Sequence, residues 1–221
     1  MITTVLFDMD GVLIDSEKFW QQAEKEVFTA VGCRWSEEIA HQTTGQTTRA
    51  VTALWYQLFP WEGKTLAEVE QAVIDRVDEL IRQEGEIKVG VRDTLRFLKA
   101  EGIKIGLATN STPSLIQTVL TRLDIASFFQ TTVSALDVPQ GKPQPDVYLR
   151  AAANLNSKPH QCLVVEDSFT GATAGKRAEM TVFVVPESPF FHDPKFDLAD
   201  RKLVDLNEFK ENFLALNHVT P

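Results

Sequence analysis

The chain has 221 residues, 43% of them hydrophobic and 24% charged, with 11 glycines, 10 prolines and 2 cysteines. That composition belongs to a packed globular protein and excludes a collagen-like, disordered or disulfide-stapled chain. With 31 acidic against 22 basic residues the formal charge is -9, which repels nucleic acids and anionic membranes, so neither is an expected partner.

A short β-branched apolar run predicts a buried strand over residues 3–8, ended by an acidic, glycine-containing turn. Asp8 and Asp10 cut this run at once, so neither a signal peptide nor a membrane span is expected, and a cytoplasmic location is the default. After Asp15-Ser16, a plausible cap, Phe19, Trp20, Ala23, Val27, Ala30 and Val31 recur at helical spacing until Gly32. Further helices are predicted over 48–58, before Pro60, and after Thr65, where Leu66, Val69, Val73, Val77 and Leu80 share a face. No strand is predicted between residues 15 and 85, so an all-helical block is inserted after the first strand.

From Val91 the pattern alternates. Helices are expected over 92–101, 113–123, 145–155, 171–178 and 206–216, and strands over 103–108, 131–134, 162–165 and 181–185. Such alternation specifies an α/β fold, a doubly wound parallel sheet covered by helices. The expected organisation is a Rossmann-like core of residues 1–14 and 86–221 carrying a helical cap of residues 15–85. Cys33 and Cys162, with no CxxC and no flanking histidine, read as buried free thiols, and His41, His160, His192 and His218 as surface residues.

In an open parallel sheet the ligand crevice lies beyond the carboxyl ends of the strands. Asp8 and Asp10, two apart in extended chain, can both face it, and Gly11 permits the sharp turn that follows. Thr109-Asn110-Ser111 opens a helix whose first N–H groups are free, an anion or phosphate site. Lys142 stands between Gly141 and Pro143 ahead of another helix, and Glu166-Asp167-Ser168 ends a strand. Gathered in one cleft, Asp8, Asp10 and Asp167 repel each other unless a divalent cation sits among them. An all-oxygen donor set suits Mg²⁺. Each group alone also has an ordinary explanation as a cap or a solvated turn. Their occurrence in order, each at a strand end or a helix start, favours one shared site.

The stretch from Phe7 to Ser16, with Thr109, Lys142-Pro143, and Glu166-Asp167-Ser168 followed by Gly171, resembles the four motifs of the haloacid dehalogenase superfamily of phosphotransferases over nearly the whole chain. The helical block is similar to the cap of its β-phosphoglucomutase and sugar phosphatase branch. Asp15-Ser16-Glu17 with Trp20, Leu54-Trp55-Tyr56 with Pro60-Trp61, and the stretch 185–203 look most like bacterial 2-deoxyglucose-6-phosphate and hexitol-phosphate phosphatases. Glu179 departs from the pattern, since many relatives end that helix with glycine.

The resemblance implies attack of Asp8 on phosphorus, an aspartyl-phosphate, and hydrolysis assisted by Asp10 as acid and base; the residues independently permit this. Mg²⁺ would be held by Asp8, Asp167 and Asp10, the last through its backbone carbonyl, with Glu166 a weaker candidate. Thr109, Asn110, Ser111 and Lys142 would bind phosphate. Gly45, Gln46 and Arg49 are the cap's substrate-binding candidates, and Trp20 is open between substrate contact and core packing. The expected substrate is a small phosphorylated sugar or polyol and the expected state a monomer. The alternative is a phosphosugar mutase, but Trp20 stands where β-phosphoglucomutases carry a cap histidine. A receiver-type signalling module would lack the helical insertion, and a dehalogenase would need neither Asp10 nor Mg²⁺.

Overall fold

The computed structural model describes residues 1–43 and 46–218. Strand β1 (Thr4–Phe7) is buried along its whole length. A helical block follows: α1 (Glu17–Ala30), α2 (Glu37–Thr43), α3 (Thr48–Leu58) and α4 (Leu66–Glu84). The alternating half comprises α5 (Val91–Ala100), β2 (Lys104–Thr109), α6 (Pro113–Arg122), β3 (Thr131–Ser134), α7 (Asp146–Asn154), β4 (Cys162–Glu166), α8 (Phe169–Arg177), β5 (Thr181–Val184), β6 (Arg201–Lys202) and α9 (Phe209–His218).

The strands form one parallel sheet in the order β3-β2-β1-β4-β5-β6. Its apolar strands are covered by helices on both faces, the condition under which an all-parallel sheet is stable. Strand order runs outward in opposite directions from the β1–β4 pair, whose register sets Phe7 beside Val165. This is the topological switch point, where such a sheet opens a crevice.

In the helical block, Trp55 is fully buried and stacks on Phe28 at 5.1 Å and on Trp35 at 5.2 Å between ring centroids. Helix α4 begins at a capping box in which Thr65 and Glu68 satisfy each other's backbone N–H groups. The two connections to the sheet pair with each other, Lys88 N–H donating to the Leu13 carbonyl at 3.0 Å. Helix α4 also packs on α6, where Arg82 donates to Thr118 Oγ1 at 2.9 Å.

Four elements differ from the sequence expectation, among them α9, which begins at Phe209 rather than 206 because Leu206–Glu208 forms a short 3-10 turn. Helix α2 was not anticipated, because Ile39-Ala40 is the only apolar pair in its seven residues and gives no periodicity. Strand β6, only Arg201–Lys202, has no apolar pattern at all. Helix α8 starts two residues earlier than expected, where Ser168 caps it by accepting from the Gly171 N–H. Cys33 and Cys162 are buried free thiols.

Candidate active site

Asp8 follows β1 and Glu166 ends β4, so the switch point sets these carboxyl groups side by side. Lys142, reaching in from the loop before α7, donates to Asp8 Oδ1 and Glu166 Oε1, both at 2.6 Å. Asp167 completes the group: Asp8, Glu166 and Asp167 each bring a carboxylate oxygen within 4.8 Å of the others. Glycines make the room. A Cβ at Gly11 would lie 1.8 Å from Asp167 Oδ2, and one at Gly171 would lie 1.7 Å from Glu166 Oε1. Gly11 also needs its freedom of backbone, at φ +73°.

Glu166 is fully buried and its oxygens are fully engaged. Oε1 accepts from Lys142 and from the Tyr148 hydroxyl at 2.5 Å. Oε2 accepts from the backbone N–H groups of Asp167 and Ser168 and from the Ser168 hydroxyl. The Tyr148 ring also faces the Lys142 ammonium, 4.8 Å away. Glu166 therefore sits behind the other carboxylates as the group that fixes Lys142.

Burial pushes the Asp8 carboxyl up to about 7, with Lys142 opposing and Glu166 and Asp10 adding to the rise. Burial, then Glu166 and Asp8, hold Asp167 well above the usual carboxylate range. Burial works against charge on Lys142, yet Asp8 and Glu166 keep it above the ordinary lysine value. Carboxyl groups this perturbed mark a site under electrostatic stress. Three carboxylates against one ammonium leave two negative charges when all are ionised, and the donors are all oxygen, which fits a hard divalent cation such as Mg²⁺.

The Asp10 carboxylate stands outside that acidic group. Its Oδ1 accepts from the Ser16 hydroxyl at 2.6 Å and Trp20 Nε1 at 2.9 Å, and its Oδ2 from the Ser111 hydroxyl at 2.7 Å. Ser16, read from sequence as a helix cap, makes no side-chain cap bond. Trp20 is half-buried against the core and also orients Asp10.

In the turn after β2, Thr109 Oγ1 accepts from the Ser111 N–H at 3.1 Å. The Asn110 side chain accepts from the Lys142 N–H at 2.8 Å and donates to the Lys142 carbonyl at 3.2 Å. The Asn110 side chain thus holds the lysine segment in place, and Asn110, expected to bind phosphate, lines the cleft. Thr112 is the residue that caps α6, accepting from the Leu115 N–H.

A cleft rises from these groups between α1 on one side and α2 and α3 on the other. Gln46 lines it, as do Thr48 and Val51 from α3. Arg49 is exposed and outside the lining, because a helix that turns residues 48 and 51 inward carries residue 49 round to the next face. Gly45 lies outside the described residues. Sequence reasoning took Ser16 for a helix cap and passed over Tyr148 and Glu24. Tyr148 carried a usable signal, a tyrosine in the buried stripe of α7 with Val147, Ala151 and Ala152.

The chain matches the haloacid dehalogenase-like hydrolase family over residues 2–179. It belongs to that family. Among its relatives is hexitol phosphatase B of Escherichia coli strain K12, 39% identical over 94% of each chain. Another is the phosphorylated carbohydrates phosphatase of Thermotoga maritima, 30% identical over 79% of this chain and 80% of that one. The fold is shared with CbbY from Rhodobacter sphaeroides in complex with phosphate, with a TM-score of 0.84 and 26% identity over 95% of this chain and 96% of that one. The haloacid dehalogenase-like hydrolase is therefore an α/β enzyme of this family, and among its described residues no helix is long and apolar enough to cross a membrane.

Proposed function

We propose that this enzyme is a Mg²⁺-dependent phosphatase of small sugar or polyol phosphates that works through an aspartyl-phosphate on Asp8, with residues 15–85 as a cap over the site. The observation that carries the reading is the Asp8 carboxylate on the floor of a cleft, one oxygen held by Lys142, beside Asp167 and Glu166. The printed activities of the hexitol and carbohydrate phosphatase relatives support the substrate class.

Asp8 attacks phosphorus as the bond to the sugar oxygen breaks, and Asp10 hands a proton to that oxygen. Asp10 must then exchange one of its present donors for the leaving group. Water next attacks the phosphorus of the acyl phosphate, gives its proton to Asp10 and frees both phosphate and Asp8. Lys142 and the 109–111 turn bind phosphoryl oxygens, and Glu166 and Asn110 keep Lys142 aimed. Mg²⁺, held by Asp8 and Asp167 with Glu166 behind them, would offset charge on the phosphoryl oxygens.

The mutase reading is disfavoured by Trp20, whose indole N–H donates to Asp10 at 2.9 Å and has no proton to exchange near neutral pH. The test is phosphate release from hexitol, deoxyhexose and hexose phosphates, with Mg²⁺ and after chelation, beside incubation of β-glucose 1-phosphate with a trace of bisphosphate. Mg²⁺-dependent release that stops on chelation, with no glucose 6-phosphate formed, is expected. Rapid isomer formation with little free phosphate would overturn the phosphatase reading, and full activity without metal would overturn the metal assignment.

A further inference from the structure

Helix α1 turns a polar stripe, Glu17, Trp20, Gln21 and Glu24, into the cleft at helical spacing. The lower end of the stripe is tied to the reaction centre, since Trp20 donates to Asp10, and Gln21 donates to Glu17 at 3.1 Å. Glu24 lies one turn farther from the catalytic floor, about 5.4 Å along the axis, the reach of several carbon–carbon bonds. It is 8% exposed, and among the described residues it has no hydrogen bond or ion pair. Its carboxyl opens onto the cleft, so whatever fills the cleft supplies its hydrogen-bond partners. The cleft is also lined by the neutral groups Thr43, Thr48 and Val51, and among the described lining residues the sole cation is Lys142 on the floor.

We infer that Glu24 is the specificity residue for the end of the substrate remote from phosphate, binding neutral hydroxyl groups there, at an end of the cleft that offers no cation to a second anion. The inference rests on the phosphatase reading above. Burial, with Glu17 adding to it, pushes the Glu24 carboxyl up to about 8, so near neutral pH it carries a proton. In that form it is both donor and acceptor, the complement of a hydroxyl. A second phosphate at that end would find no cation to replace its hydration. Substrates with one phosphate and a hydroxylated tail therefore fit, and bisphosphates do not.

The test compares the parent enzyme with Glu24→Leu and Glu24→Gln, in Mg²⁺, on acetyl phosphate, on fructose 1,6-bisphosphate and on the sugar or hexitol phosphate the parent hydrolyses best; thermal unfolding is measured in parallel. Acetyl phosphate ends short of Glu24 and reports the chemistry alone. Glu24→Leu should raise KM for the sugar or hexitol phosphate about tenfold or more while leaving acetyl phosphate hydrolysis and the unfolding temperature no worse than the parent's. Glu24→Gln, which keeps a donor and an acceptor, should stay within about threefold of the parent on every substrate. The bisphosphate should be the poorest substrate of the parent. An unchanged KM in Glu24→Leu, an equal loss on acetyl phosphate, a fall in unfolding temperature that explains the loss, or efficient bisphosphate hydrolysis by the parent would each overturn the inference and leave the phosphatase reading standing. A parent that hydrolyses acetyl phosphate but no sugar or hexitol phosphate would overturn both.

Discussion

Glu166 and Glu24 are both buried, and their surroundings put them to opposite uses. Glu166 accepts from Lys142, Tyr148, Ser168 and backbone N–H groups, so its charge is compensated and it acts as a fixed support. Glu24 has no donor among the described residues, and burial raises its carboxyl from 4.5 to about 8. As pH rises the unfolded chain therefore ionises first. The contribution of this group to stability is intact below about pH 4.5 and lost as pH climbs through about 8. Glu24→Gln cannot ionise and escapes that loss. Thermal unfolding from about pH 5 to about pH 9 should show the variant gaining steadily on the parent; a gap that stays constant would mean that Glu24 is as solvated as an ordinary carboxylate.

Helix ends carry the same lesson at the next scale. Glu179, just past α8, sits at φ 59°, in the left-handed region where a side chain is strained and glycine is not. The resemblance singled out this position from sequence alone, and the backbone gives the reason. Glu179→Gly should raise stability by about 0.5–1 kcal/mol, the relief of that strain less the entropy glycine adds to the unfolded chain, read as an upward shift of the denaturation midpoint; a fall would show that the Glu179 side chain stabilises the helix end by more than its strain costs. Elements with an apolar stripe and an N-cap, such as α4 with Thr65 and Glu68, could be read from sequence because local signals decide them. Helix α2 and strand β6 could not, since only their neighbours in the fold hold them.

Across the whole molecule, the order β3-β2-β1-β4-β5-β6 brings residues 8, 109, 142 and 166 to one end of the sheet. That convergence was legible, because each stands at a strand end or a helix start and the crossover rule of parallel sheets does the rest. What remained illegible was the direction of each polar side chain. Nothing local says that the Asn110 side chain turns to the Lys142 backbone, or that Ser16 leaves its helix end for Asp10. Such choices depend on partners far along the chain, as Ser111 is 101 residues from Asp10 and Lys142 is 134 from Asp8. The proposed mechanism rests on Asp8 as the group that receives phosphorus, and the most direct test is phosphate release from a hexitol phosphate by the parent and by Asp8→Asn, side by side in Mg²⁺. Asp8→Asn should keep a folded spectrum and lose activity by at least about a thousandfold; a folded Asp8→Asn enzyme that retained most of the parent's rate would contradict the covalent mechanism.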